Sequence, residues 1–205
     1  PAEHSRVLEG LSRFTGIKKD FLEASNLRLS DGQFYEQLLA SDRNTVGRLD
    51  GRFTGYNRTF TGRGADYDPS NTAIAPPFTS TMNHYVRETL GYKTPLEYYV
   101  LGEGIGRWNW DSTGRAGLGS DTSERLRSAM SQNPYLKVLF ANGYYDFATP
   151  FAATEFTVNQ MGLDPRLMRN ISWSYYPAGH MVYLEQQSRA AFHRDMIKFV
   201  HESLH

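Results

Sequence analysis

The sequence contains no cysteine, and this absence excludes disulfides, thiolate metal ligands and a cysteine nucleophile together. It also has no surplus of charge, because 22 Lys and Arg residues face 22 Asp and Glu residues. Nucleic-acid binding needs an excess of cations on one surface, so we expect no nucleic-acid partner. No apolar run approaches the roughly 20 residues that a transmembrane helix requires, so we expect no membrane span.

What is present has the composition of a globular protein. The 205 residues are 40% hydrophobic and 21% charged, which favours one domain, or one domain with an insertion. The amino-acid composition changes near residue 120, and the residues before this point are polar and rich in Arg and Gly. In that region hydrophobic spacing predicts short helices over residues 3–14, 18–24, 30–40 and 80–90, and residues 44–77 are predicted to be mostly loop, with an extended piece at 47–56.

Local signals refine this first region. Ser30 or Asp31 is suited to cap the third helix. Pro76 and Pro77 are expected to precede the fourth helix. Arg48 stands two residues from Asp50, a spacing that predicts a structural ion pair more than a binding site.

The residues after 120 predict an alternation of helix and strand. A helix capped by Asp121 or Thr122 is followed by a short apolar run that is typical of a buried strand. Strand, loop, helix, strand, loop, helix is the pattern of a parallel α/β sheet. The predicted strands cover residues 136–141 and 171–175, and the predicted helices that follow them cover residues 151–161 and 184–204.

Two residues that can do chemistry follow these strands. Asp146 comes after the first strand and His180 after the second. In open α/β sheets functional residues lie beyond the carboxyl ends of the strands. An Asp that orients a His, and a His that moves a proton to and from a Ser hydroxyl, make up two thirds of a catalytic triad. Either residue alone would more often be a turn former or a structural histidine, but their paired placement favours a functional role.

The third member of such a triad is missing from the sequence. An α/β-hydrolase nucleophile sits in a Gly-x-Ser-x-Gly turn, and no serine here has glycine at both flanking positions. Ser12 has Gly10 before it but Phe14 after it. The chain therefore carries a candidate base and a candidate carboxylate without their nucleophile.

Two segments carry a resemblance to a known family. Residues 137–150 (KVLFANGYYDFATP) resemble the region around the catalytic aspartate of serine carboxypeptidases, particularly bacterial ones. Residues 174–183 (SYYPAGHMVY) resemble the region around their catalytic histidine. Residues 46–55 (VGRLDGRFTG) and 108–110 (WNW) look like segments of the same group.

The resemblance implies a fold and an incomplete chain. In that family a largely helical cap is inserted into an α/β-hydrolase core before the aspartate strand. Residues 1–118 would then be a helical cap or insertion. Residues 119–205 would be the C-terminal part of the α/β-hydrolase core, with the last strands and helices of its parallel sheet. The serine, the oxyanion hole and the groups that hold the substrate carboxylate would belong to an upstream half.

Site residues follow from the same resemblance. Asp146 and His180 would be catalytic. Met181 matches a position that lines the leaving-group pocket, and Thr149 falls where some members have a cysteine, so both are predicted to bind substrate. The resemblance implies no cofactor and no metal.

The function that the resemblance implies is that of a serine-type carboxypeptidase. Its partners would be a peptide substrate and the N-terminal half of the same protein, present as a separate chain or lost. The location would be extracytoplasmic, either periplasmic or secreted. Two alternatives stay open: a related acyltransferase that uses the same triad, and an inactive fragment that acts only as a binding or structural module.

Overall fold

The computed structural model describes residues 2–101 and 122–204, which form two compact units, Pro1–Ile74 and Ala75–His205. The predicted boundary after residue 118 and the segment 108–110 lie outside the described residues. Both therefore stay predictions.

Three short helices and a hairpin make up most of the first unit. The predicted helices are confirmed, and the third begins with a capping box. The Ser30 side chain accepts the backbone N–H of Gln33, and the Gln33 side chain accepts the backbone N–H of Ser30. Ile17, between the first two helices, and Leu22, in the second of them, are both buried. The elements are α1 (Ala2–Thr15), α2 (Lys19–Ala24), α3 (Asp31–Gln37), a 3₁₀ turn (Ala40–Asp42), β1 (Asn44–Val46) and β2 (Thr54–Tyr56).

The two strands of the first unit pair antiparallel, with Asn44 opposite Tyr56. The extended piece predicted at 47–56 is therefore mostly the loop between them. Buried Asp50 pairs with Arg52 through two contacts of 3.0 and 2.7 Å. The prediction of an Arg48–Asp50 ion pair is thus wrong. Arg52, two residues after Asp50, binds both oxygens of the carboxylate through its guanidinium group instead.

The fourth helix starts earlier than predicted. α4 (Pro69–His84) contains Pro76 and Pro77, and a π-helical turn (Tyr85–Thr89) follows it. Asp68 accepts the Ser70 backbone N–H at 2.9 Å, and proline is tolerated in the first helical turn, so the helix begins at Pro69. The prediction failed because proline inside a helix costs hydrogen bonds without always ending it.

The second unit contains a parallel pair of strands, as predicted. β3 (Val138–Gly143) runs alongside β4 (Ile171–Tyr176), with Val138 opposite Ile171. The chain is a mixture of helices and small sheets, which is compatible with the α/β class. The helices of this unit are α5 (Ser123–Gln132), α6 (Phe151–Gln160), α7 (Pro165–Met168) and α8 (Gln186–Ser203), with a 3₁₀ turn (Val182–Leu184) before α8.

Alternating side chains place helices on both faces of this pair. Successive residues of a strand point to opposite faces. Ile171 and Trp173 belong to an apolar cluster with Met130 of α5 and Val158 of α6. On the opposite face Tyr176 contacts Phe192 of α8 edge to face. Since Gly143 lies opposite Tyr176, the loops that follow both strands begin side by side.

Candidate active site

The loops after β3 and β4 are joined through their backbones. The N–H of Tyr144 donates to the carbonyl of Tyr176 at 2.9 Å, and the N–H of Tyr145 donates to the carbonyl of Ala178 at 3.0 Å. These bonds continue the parallel pairing for two residues beyond the strands. They bring the segment with Asp146 alongside the segment with His180.

Close approach at this junction requires glycine at position 143. A Cβ added to Gly143 would lie 2.5 Å from the carbonyl oxygen of Ala178 and 2.9 Å from the carbonyl carbon of Gly179. Both are backbone atoms, which no side-chain rotation can move away. The His180 loop therefore passes over β3 at a distance that only glycine allows.

The Asp146 carboxylate is buried and surrounded by donors. It is 5% exposed. One oxygen, Oδ1, accepts the N–H groups of Ala148 at 2.8 Å and Thr149 at 2.9 Å. The other, Oδ2, accepts the Thr149 hydroxyl and lies 2.9 Å from Nδ1 of His180. Four donors hold this carboxylate in one orientation.

These donors decide the ionisation of Asp146. Burial by itself raises the pKa of the carboxyl, but the hydroxyl and N–H of Thr149 and the His180 ring together outweigh burial. The pKa of Asp146 is therefore lower than usual, and the group stays an anion at neutral pH. A fixed anion is what an imidazole needs in order to carry a proton.

His180 presents its other ring nitrogen away from this carboxylate. When Nδ1 donates to Asp146, the neutral ring keeps a lone pair on Nε2. The side chain is 44% exposed, and Nε2 makes no hydrogen bond within residues 2–101 and 122–204. The arrangement can accept a proton from a hydroxyl that reaches Nε2.

The two predicted substrate-binding residues lie in the same loops. Thr149 lines a groove of about 370 Å³ beside α5 and α6, together with Leu126 and Phe140. Met181 follows His180 directly, is half-buried, and accepts the N–H of Leu184 at 2.9 Å through its carbonyl. Both residues are near the Asp–His pair, and their binding of substrate stays a prediction.

Sequence reasoning missed a residue pair that supports the His180 loop. The hydroxyl of Tyr176, at the end of β4, donates to Asp195 of α8 at 2.6 Å. Burial and this carboxylate raise the pKa of Tyr176 to about 12, so the hydroxyl remains a donor across the physiological range. The partners are 19 residues apart, and no local pattern pairs them.

The opposite face has a similar tyrosine. Burial and the nearby Glu155 carboxylate raise the pKa of Tyr175 to about 12. Its ring stacks on Tyr144 at 5.7 Å and on Trp173 at 6.4 Å between centroids. These stacked rings fix the first residue of the Asp146 loop against β4.

The described parts of the chain contain no group of three His, Asp or Glu side chains arranged to hold a metal ion. Within residues 2–101 and 122–204, no helix is long and apolar enough to cross a membrane.

Comparison of the chain with known families, with curated proteins and with solved structures found no match.

Proposed function

We propose that this chain supplies the general base and its orienting carboxylate to a serine-type carboxypeptidase of the α/β-hydrolase fold. The observation that carries this proposal is the 2.9 Å hydrogen bond between Oδ2 of Asp146 and Nδ1 of His180. Its support is that the two residues follow adjacent parallel strands and are separated by 34 residues of sequence.

In the proposed reaction His180 acts twice. Its Nε2 takes the proton of a serine hydroxyl while the serine oxygen bonds to the carbonyl carbon of the last peptide bond. The carbon–nitrogen bond then breaks, and the leaving amine receives that proton from His180. A water molecule next attacks the acyl carbon, and His180 takes the proton of that water. The bond between the acyl carbon and the serine oxygen then breaks, and the serine oxygen receives the proton from His180. Asp146 remains an anion throughout and stabilises the imidazolium.

In this proposal the nucleophilic serine lies outside these 205 residues, because no Gly-x-Ser-x-Gly turn occurs in them. We infer that the partner is the N-terminal half of the same protein, as a separate chain or as a part lost from it. Residues 119–205 would complete its α/β-hydrolase core, and residues 1–118 would form a cap. The proposed location is periplasmic or secreted, and the substrate is a peptide.

Mass spectrometry tests the partner. The protein purified from its natural source is measured under native and denaturing conditions. A companion polypeptide with a serine turn, or a longer chain that contains both parts, supports the proposal. A single species near 23.4 kDa that cleaves peptides by itself would contradict it.

Activity tests the residue roles in the complete protein. The assay measures release of the last residue from N-blocked dipeptides. Asp146→Asn should lower kcat by about 10⁴-fold and His180→Ala by about 10⁶-fold, the losses typical of the carboxylate and the base of such a triad. The matched controls are the exposed residues Asp20 and His193, and Asp20→Asn and His193→Ala should leave kcat unchanged.

The alternatives give different outcomes in this assay. Full activity after both Asp146→Asn and His180→Ala would refute the assignment. Transfer of an acyl group from an ester donor to an alcohol, with no peptide cleavage, would replace the peptidase with an acyltransferase. Absence of turnover toward both substrate types would favour a binding or structural module.

A further inference from the structure

We propose that Thr149 is a positioning residue of the Asp146–His180 pair, whose hydroxyl bridges the carboxylate and the imidazole and holds the ring hydrogen on Nδ1. The catalytic consequence of this bridge rests on the proposed function. The bridge itself does not, since it lies entirely within the described loops after β3 and β4.

Three polar atoms form a closed triangle at this point. The Thr149 hydroxyl oxygen is 2.5 Å from Oδ2 of Asp146 and 3.2 Å from Nδ1 of His180. The third side, from Oδ2 to Nδ1, is 2.9 Å. All three separations fall within hydrogen-bond range.

The donors and acceptors of this triangle permit one arrangement when Asp146 is ionised. The carboxylate only accepts, so the Thr149 hydroxyl must donate to it. The hydroxyl hydrogen is then committed to Asp146, and toward His180 the oxygen can offer only a lone pair. Nδ1 therefore faces two acceptors, and a hydrogen on Nδ1 satisfies both. An unprotonated Nδ1 would face two lone pairs, which is unfavourable.

Thr149 also controls the orientation of the carboxylate. Its backbone N–H donates to Oδ1 at 2.9 Å, while its hydroxyl donates to Oδ2. One residue thus holds both oxygens and resists rotation of the Asp146 carboxyl group. A β-branched side chain adds stiffness, because its χ1 rotamers are restricted.

A structural role and a substrate-binding role make different predictions. Thr149 is exposed and lines a groove, which would suit direct contact with substrate. A hydroxyl that only contacts substrate would change KM and leave His180 unaffected. A hydroxyl that acts through Asp146 and His180 would change kcat and the state of the imidazole.

Nitrogen NMR of the His180 ring tests the bridge without any activity. The 205-residue chain is labelled with ¹⁵N-histidine and ¹³C-aspartate, and the signals of His180 and Asp146 are assigned by their loss in His180→Gln and Asp146→Asn. In the native chain and in Thr149→Ser, the neutral ring should carry its hydrogen on Nδ1. In Thr149→Val, a larger share should carry it on Nε2, and Asp146 should titrate at higher pH.

A matched control comes from the same groove. Thr154 lines it as well, and no side-chain hydrogen bond involves it among the described residues. Thr154→Val should leave the ring tautomer and the Asp146 titration unchanged. Identical spectra for Thr149→Val and the native chain would overturn the proposal. Thermal melting of every variant identifies unfolding, and an unfolded Thr149→Val is replaced by Thr149→Ala in the same measurement.

Kinetics on the complete protein then separate this inference from the proposed function. Thr149→Val should lower kcat by about tenfold with little change in KM, and Thr149→Ser should restore most of it. A tautomer change without peptidase activity in the native protein would refute the proposed function and leave the bridge standing. A rise in KM with constant kcat would overturn the positioning role in favour of substrate contact.

Discussion

Replacing Gly143 with alanine should push apart the two loops that carry Asp146 and His180. The new Cβ would lie 2.5 Å from the carbonyl oxygen of Ala178. Carbon–oxygen contacts need about 3.3 Å, so the His180 loop must retreat by close to 1 Å. The backbone of the His180 loop itself must move, because the nearest atoms belong to the main chain of Ala178 and Gly179.

The size of the effect follows from the bonds that span the junction. A shift of about 1 Å carries the bond from Tyr145 to Ala178, now 3.0 Å, and the Asp146–His180 bond, now 2.9 Å, beyond hydrogen-bond range. Overpacking costs about 1–3 kcal/mol and each lost bond about 1 kcal/mol. We expect Gly143→Ala to lower the free energy of unfolding by about 3–5 kcal/mol.

Urea unfolding of the chain, followed by fluorescence and by circular dichroism, measures this loss. Gly10→Ala is the control, because nothing lies within 4 Å of a Cβ added to Gly10 in α1. That substitution should stabilise the chain by up to about 1 kcal/mol, since alanine favours helix. If Gly143→Ala unfolds at the native urea concentration and His180 keeps its Nδ1 hydrogen, the argument from close backbone approach is wrong.

Two further predictions concern buried carboxylates. Glu36 is fully buried and accepts N–H groups of Thr61, Gly62 and Gly64 at 2.7, 3.2 and 3.2 Å. Glu36→Gln should destabilise the chain by about 1–3 kcal/mol in urea unfolding, because the NH₂ group of the new glutamine must face at least one of these backbone N–H donors. An unchanged midpoint of urea unfolding would contradict this prediction. The lowered pKa of Asp146 stabilises the fold above the unfolded-state value of about 3.9, and this contribution is lost as pH falls through the folded-state pKa. Asp146→Asn should therefore flatten the decline of unfolding free energy as pH falls below that unfolded-state value, and an equally steep decline would argue against it.

Much of the local structure could be predicted from the sequence. The helices α1 to α3, α5, α6 and α8 and the strands β3 and β4 lie near the positions that the sequence predicts, but the short helix α7 was not predicted. Hydrophobic spacing and caps such as Ser30 act over about four residues, so they can be read from neighbours in the chain. The error at Pro76 and Pro77 arose because Asp68 and Pro69 start the helix earlier and proline inside a helix does not always end it. The error at Arg48 arose because Arg52 pairs with the Asp50 carboxylate instead.

For the candidate site too, some features could be predicted from the sequence and others depend on the tertiary structure. The sequence determined that Asp146 and His180 follow two neighbouring strands, because strand order and loop position follow from local patterns and the α/β rules. It did not determine the role of the Thr149 hydroxyl, the need for glycine at 143 or the Tyr176–Asp195 bond. These features depend, to within a few tenths of an ångström, on the backbone spacing between segments that lie 19 to 36 residues apart in the sequence. Only the packed tertiary structure fixes such distances.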